Sequence, residues 1–111
     1  MKFMILMSSD PSWDNLSEDK QNQIIFKHEQ FERDLESSGS FVSSARFGPD
    51  TGAAIYQDAS GKQSTAPNPL TGEGEIGGYY LIDVEDMETA LAWAARCRFI
   101  TGANWVYPIW E

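Results

Sequence analysis

The chain has 111 residues, 41% of them hydrophobic, which is enough for one domain with a single core. Its net charge is −9 and its eight Lys and Arg residues are scattered, which argues against nucleic acid and against anionic membrane surfaces as partners. The single cysteine excludes an intrachain disulfide, and no apolar run approaches the roughly 20 residues of a membrane span. Because Met1–Ser8 is too short for a signal peptide, we expect a cytoplasmic protein.

The N-terminal third of the chain predicts a strand followed by a long helix. Lys2–Ser8 is a short apolar run that ends in Ser and Asp-Pro, which is typical of a buried strand. Ser17 is a good helix N-cap, and Gly39 is a natural stop after the last helical turn. Between them, four residues recur at helical spacing on one face: Ile24, His28, Phe31 and Leu35.

The middle of the chain predicts strands joined by turns. Phe41–Gly48 and Ala53–Gln57 show the residue types of strands, and Lys62–Thr65 is expected to return as a short strand after a Gly-containing turn. Residues 66–75 are rich in Pro, Gly, Asn and Thr, which predicts an irregular loop.

The C-terminal third predicts a central strand, a second helix and a last strand. Ile76–Val84 carries large residues on both sides, and so does Ala103–Trp110. Between these strands, Asp86 caps a helix that is expected to run to Arg98. The residues expected to point inward from this helix are Leu91, Ala94 and Ala95, and Cys97 is interpreted as a buried structural thiol.

The order of these elements predicts one α+β domain over residues 1–111. Two β-α-β halves, with two helices on one face of an antiparallel sheet, make a ferredoxin-like fold. The helices cover only one face of the sheet, whereas the strands carry large apolar residues on both. A second copy of the same sheet is the simplest cover for the other face, so we expect a homodimer.

Four segments resemble the YCII-related, DGPF-type family. The segment Gly77–Asp86, which reads GGYYLIDVED, and the following Ala90–Ala94 are the most similar. The opening Met1–Met7 and the helix end Phe31–Gly39 are similar as well. The resemblance implies a dimeric α+β barrel, in which two ferredoxin-like units pack sheet to sheet, and a His-Asp pair in a cleft at the dimer interface.

The chain departs from the family pattern at the motif from which the DGPF name comes. Where Asp-Gly-Pro-Phe should precede the Gly-Gly pair, this sequence has Ala66, Pro67, Asn68 and Pro69, so the acid of the motif is absent. The usual helix histidine of the family is matched by His28, and an acid after the first strand is matched by Asp10.

His28 and Asp10 are the candidate catalytic pair. Imidazole titrates near neutral pH and is the commonest proton-transfer group, but a histidine on an apolar helix stripe can equally be a core residue. A carboxylate from Asp10 could fix the imidazole tautomer, or Asp10 could be an Asx-turn residue before Pro11.

Three further residues are candidates for ligand binding. Arg46 could hold an anion through its guanidinium, although such residues more often pair with a surface acid. Tyr79 could line a pocket or belong to the core or an interface, and Asp83 could serve as the acid in place of Asp10 or be a solvated strand end. One His and one Cys are too few for a transition-metal site, and no phosphate-binding or dinucleotide-binding glycine motif is present, so we expect neither metal nor cofactor.

Two functions remain open at this stage. The first is a cofactor-free enzyme or binding protein for a small organic molecule, with acid-base chemistry at His28. The alternative is a non-catalytic ligand-binding or interaction dimer.

Overall fold

The computed structural model describes residues 1–9, 12–47, 52–68 and 76–111. It contains the strands β1 (Lys2–Ser8), β2 (Phe41–Arg46), β3 (Gly52–Gln57), β4 (Gln63–Asn68), β5 (Ile76–Asp83) and β6 (Asn104–Pro108), and the helices α1 (Glu18–Ser37) and α2 (Met87–Arg96). A short 3-10 turn at Trp13–Asn15 precedes α1.

The sheet has the ferredoxin-like strand order β2-β5-β1-β6, and every neighbouring pair is antiparallel. Helix α1 connects β1 to β2 and helix α2 connects β5 to β6, which gives the two expected β-α-β halves. The predicted α+β fold is thus confirmed. Strands β3 and β4 form a separate two-stranded hairpin between β2 and β5 along the chain.

Both predicted helix starts are confirmed by their caps. The hydroxyl of Ser17 accepts a hydrogen bond from the backbone N–H of Lys20 at 3.2 Å, and the carboxylate of Asp86 accepts one from that of Thr89 at 2.8 Å. After α1, Gly39 has φ +80°, a left-handed conformation that favours glycine.

The core lies between the helices and one face of the sheet. Its buried residues are Phe3, Ile5, Phe31, Leu35, Tyr80, Ile82, Val84, Ala90, Ala94 and Cys97. Cys97 is therefore buried as predicted, and burial raises the pKa of its thiol to about 11.

The predicted inward face of α2 is wrong at two of its three positions. Leu91 is 52% exposed and Ala95 is exposed, whereas Ala90 and Ala94 are buried and Trp93 packs against the core. The hydrophobicity of Leu91 suggested the wrong side of the helix. Small Ala side chains instead let α2 approach the sheet closely.

The hairpin extends further than the sequence suggests. Strand β4 reaches Asn68, so residues 66–68, which were expected to lie in a loop, pair with β3, as Ala66 does with Ala54. Pro67 is compatible with this position because β4 has only one neighbour and needs hydrogen bonds on only one side. The rest of the predicted loop, residues 69–75, lies outside the described residues.

The second face of the sheet carries an apolar layer that neither α1 nor α2 covers. Register places Met4 opposite both Leu81 and Tyr107, and Leu6 opposite Tyr79 and Trp105. Directly opposed residues share a face, and this face is the one away from the buried core side chains. We call this set of six side chains the open sheet face: Met4, Leu6, Tyr79, Leu81, Trp105 and Tyr107.

Candidate functional site

His28 lies in the middle of α1, half-buried, on the helix face that turns towards the sheet. It belongs to the predicted stripe, in which Phe31 and Leu35 are buried and Ile24 is half-buried. The imidazole meets the ring of Phe99 edge to face, with ring centroids 4.6 Å apart and an interplanar angle of 77°. Only the C-terminal half of the stripe is core, so His28 stands at the border between core and solvent.

Three charged side chains act electrostatically on His28, each from a different part of the fold. Glu32 lies one helical turn further along α1, Arg46 comes from the end of β2, and Arg98 follows α2. Burial lowers the pKa of His28, the charge of Glu32 opposes this change, and the charges of Arg98 and Arg46 add to it. The lowered pKa favours the neutral imidazole, the form that can accept a proton.

The carboxylate of Glu32 is fixed by a residue of the sheet. Tyr80 on β5 is 3% exposed, and its hydroxyl donates a hydrogen bond to Oε1 of Glu32 at 2.7 Å. Burial and the neighbouring carboxylate raise the pKa of Tyr80, so it remains a protonated donor. The Tyr80 ring also packs edge to face on Phe31, which fixes the phenol between helix and sheet.

Arg98 connects three chain segments beside His28. Its Nη1 donates to the backbone oxygen and hydroxyl of Ser8 at 3.1 and 2.9 Å, to the backbone oxygen of Ala103 at 3.1 Å, and to Oδ1 of Asn104 at 3.3 Å. The hydroxyl of Ser8 also accepts from the backbone N–H of Ala103 at 3.0 Å. We call this arrangement the Arg98 clamp, because it holds the end of β1 and the start of β6 to the segment after α2.

The Gly-Gly pair that carries the family resemblance lies at the same end of the sheet. A Cβ on Gly78 would come within 2.7 Å of the backbone oxygen of Ala45, and one on Gly77 within 3.2 Å of the Cα of Ser9. Both contacts involve backbone atoms of neighbouring chain segments. The glycines therefore allow close packing of β5 beside the candidate site rather than providing chemistry.

A small groove lies beside Phe99, between the N-terminal half of α1 and the segment after Arg98. Its volume is about 200 Å³, and its walls include Lys20, Ile24, Lys27 and Phe99. A larger hollow of about 520 Å³ lies around Phe26 on α1. We favour the smaller one as a ligand site because it contacts Phe99, the aromatic neighbour of His28.

Of the residues predicted for the site, Arg46 acts electrostatically on His28. Tyr79 lies on the open sheet face, because its neighbour Tyr80 points to α1 and side chains alternate along a strand. Asp83 is on the same face as Tyr79, at the other end of β5, where it pairs with the N-terminal ammonium at 3.2 Å. Asp10 lies outside the described residues.

Sequence analysis missed Glu32, Arg98 and the contact of Tyr80 with Glu32. Glu32 had a usable signal, because a residue four positions after His28 shares its helix face. Tyr80 and Arg98 had none, since their contacts with Glu32 and Ser8 span 48 and 90 residues of sequence.

The described residues contain no group of three or more His, Cys, Asp or Glu side chains that could hold a metal ion. Nor does any helix among them have the length and hydropathy needed to cross a membrane.

Fold and site together define a small ferredoxin-like α+β protein with an open apolar sheet face and a histidine-centred polar cluster beneath its first helix. The model of the YCII-related domain family matches residues 1–111, and the chain belongs to this family. A search of curated proteins found no match.

Proposed function

We propose that this YCII-related protein binds a small organic molecule beside His28 and that His28 moves a proton on it without a cofactor. The observation that carries the proposal is a half-buried imidazole in contact with Phe99, on the same helix face as a carboxylate held by Tyr80 and under the charges of Arg46 and Arg98. A general base must be unprotonated at the working pH and close to solvent, and His28 meets both conditions.

The ligand is proposed to be anionic. The whole chain carries a net charge of −9, which repels anions at long range. Locally, however, Arg46 and Arg98 act on His28, and Lys20 and Lys27 line the adjacent groove. These four cations support binding of a carboxylate or a similar group, with Arg46 as the proposed direct contact.

Asp10 is proposed to orient the imidazole of His28. It follows Ser8 and Ser9 in sequence, and Ser8 is held by the Arg98 clamp close to His28. A carboxylate hydrogen-bonded to one imidazole nitrogen would leave the other free to take a proton from the ligand.

The proposed assembly is a homodimer through the open sheet face. Four strands about 4.8 Å apart and about six residues long present a projected area of roughly 400 Å². A stable interface takes up about 800 Å² per partner. The β3–β4 hairpin supplies further apolar surface, because Ile55 and Tyr56 are 70% and 60% exposed. Tyr79 belongs to the open sheet face and Asp83 projects from the same side of β5, so they are proposed as ligand contacts only at this interface.

The alternative is a ligand-binding or interaction dimer without catalysis. The absence of the family's motif acid favours it, because Ala66–Pro69 supplies no proton-transfer group. In that case Arg46 and the lysines would still bind the anion, and His28 would contribute only its shape and its contact with Phe99.

Replacing His28 separates these functions. We expect His28→Gln to keep the fold and to abolish turnover of any organic acid that the wild type converts, because an amide cannot act as a base at neutral pH. The measurements are a thermal-shift screen of small carboxylic acids on the wild type and the variants, followed by turnover of the hits.

The matched control is Glu29→Gln, an exposed change next to His28 that should alter neither property. A stable His28→Leu variant with wild-type ligand binding and turnover would leave no functional role for His28. Loss of turnover with ligand binding intact in His28→Gln supports catalysis. Binding in the wild type without turnover of any hit supports the alternative.

A further inference from the structure

Glu32, the carboxylate in the described part of the chain that acts electrostatically on His28, is held by a specific contact. Glu32 is half-buried and four residues after His28 on α1, so both side chains project from the same helix face. The hydroxyl of the buried Tyr80 binds Oε1 of Glu32 at 2.7 Å. A long, flexible Glu side chain is therefore kept in one position between helix and sheet.

The other acids of α1 close to this position are placed differently. Asp34 points to Arg96 and Gln30 on an exposed part of the helix, and its pKa is lowered by the hydrogen bonds from these two residues. Glu29 and Glu36 are exposed. Glu32 alone among these residues is tied to the sheet beneath His28.

The charged groups that act on His28 come from three parts of the fold. They are Glu32 from α1, Arg46 from β2 and Arg98 from the segment after α2. Neither the ion pair of Asp34 with Arg96 nor that of Asp83 with the N-terminus involves His28. Within the described residues, Glu32 is thus the negative charge that offsets two guanidinium groups.

We propose that Glu32, held by the hydroxyl of Tyr80, is the positioning residue that supplies the counter-charge of His28. When the imidazole accepts a proton, the fixed carboxylate stabilises the imidazolium through space, without an ion-pair contact in the resting state. Sequence analysis offered Asp10 as a candidate acid for His28, with an Asx-turn residue before Pro11 as the alternative. The proposal deepens the proposed function, but the electrostatic coupling exists whether or not the protein is an enzyme.

The coupling can be measured directly because His28 is the only histidine in the chain. An NMR titration of the imidazole Hε1 signal reports the pKa of His28 without assignment of other histidines and without a ligand. The titration is made on the wild type and on Glu32→Gln, Tyr80→Phe, Asp10→Asn and, as the matched control, Asp34→Asn, which removes a charge from the same helix.

Glu32→Gln should lower the pKa of His28, because it removes the charge that favours the imidazolium while burial and both Arg residues remain. Tyr80→Phe keeps the charge but frees the carboxylate, so it should lower the pKa of His28 by a smaller amount. Asp34→Asn should leave it unchanged. If Glu32→Gln does not fold, Tyr80→Phe and Glu32→Asp provide the same comparison. The Asp side chain is shorter, so its carboxylate cannot keep both the contact with the Tyr80 hydroxyl and the position relative to His28.

Three outcomes overturn the proposal: an unchanged pKa of His28 in Glu32→Gln, an unchanged pKa in Tyr80→Phe, or a larger decrease in Asp10→Asn than in Glu32→Gln. The last of these would return the role to Asp10. Failure of the proposed function is a separate result, since a protein without turnover can still show the Glu32-dependent titration. Conversely, turnover in the wild type together with an unchanged pKa of His28 in Glu32→Gln would support the proposed function and contradict only the role of Glu32.

Discussion

At the scale of single residues, the structure explains why glycine occupies position 78. Strand β5 lies between β2 and β1, and at Gly78 it passes so close to β2 that a Cβ would lie 2.7 Å from the backbone oxygen of Ala45. The neighbouring backbone cannot move without disturbing the β2–β5 ladder. The resemblance to the YCII-related family included this glycine, but its physical reason appears only when the strands are paired.

We expect Gly78→Ala to lower the free energy of unfolding by about 1–3 kcal/mol, the usual cost of inserting a methyl group into a packed site. Gly77→Ala is the comparison, because its Cβ would be 3.2 Å from Ser9, a distance that small shifts can relieve. Urea denaturation measures both. A urea midpoint of Gly78→Ala equal to that of the wild type would contradict this prediction and show that the backbone of β2 can shift to accommodate the added methyl group.

At the scale of elements, the Arg98 clamp stabilises the end of β1 and the start of β6, whereas hydrophobic packing stabilises the middle of the strands. It joins β1, β6 and the segment after α2 through hydrogen bonds from one guanidinium nitrogen. The side chain of Asn104 adds a bond to the backbone oxygen of Ala94 at 2.8 Å, which satisfies a carbonyl in the last turn of α2. The same guanidinium lowers the pKa of His28, so structure and electrostatics are linked here.

Arg98→Met should therefore lower the free energy of unfolding by about 2–3 kcal/mol, because hydrogen bonds from a charged donor to partly buried acceptors are lost. It should also raise the pKa of His28, since a cation that disfavours the imidazolium is removed. Chemical denaturation and the histidine titration test the two effects. Arg33→Met, an exposed change on α1, is expected to affect neither by a measurable amount, and an equal loss in both variants would contradict a specific clamp.

How well the elements can be predicted depends on how local their signals are. Helix starts follow from Ser17 and Asp86, whose capping bonds reach only three residues along the chain. The inward face of α2 and the length of β4 were wrong because both depend on the partner surface. Leu91 is apolar but 52% exposed, and Ala66 is in a strand because Ala54 pairs with it.

At the scale of the whole molecule, the open sheet face is the apolar surface that the core of a single chain does not cover. The core occupies only the helix side of the sheet, and six apolar or aromatic side chains form a layer on the other side. A layer of this kind costs free energy when it faces water and is typical of an interface.

The wild type is expected to be a dimer at micromolar concentration, and Leu81→Glu, in the middle of the open sheet face, should shift it towards a monomer. Burying two carboxylates near a two-fold axis is unfavourable because each would lose its hydration. Light scattering gives the mass of each variant. Phe26→Glu on α1, where Phe26 is already 61% exposed, is the control and should leave the mass unchanged. A monomeric wild type would refute the proposed assembly.

The amino-acid sequence by itself determined the order of strands and helices, the helix caps, the burial of Cys97 and the choice of His28 as the candidate site. The elements and their caps depend on periodicity and on contacts within a few residues. His28 is a candidate because it is the only histidine and matches the helix histidine that the family resemblance implies. Asp10, which the sequence also suggested, lies outside the described residues, so its role rests on the proposed experiments.

Only the tertiary structure decided which groups surround His28. Tyr80 reaches Glu32 across 48 residues and Arg98 reaches Ser8 across 90, and such pairs follow from strand register rather than from spacing. Register also separates Tyr79 and Asp83 from His28, because a strand sends alternate side chains to opposite faces of the sheet. The pKa of a titrating group depends on its distances to other charges, and these distances are set only when the chain has folded.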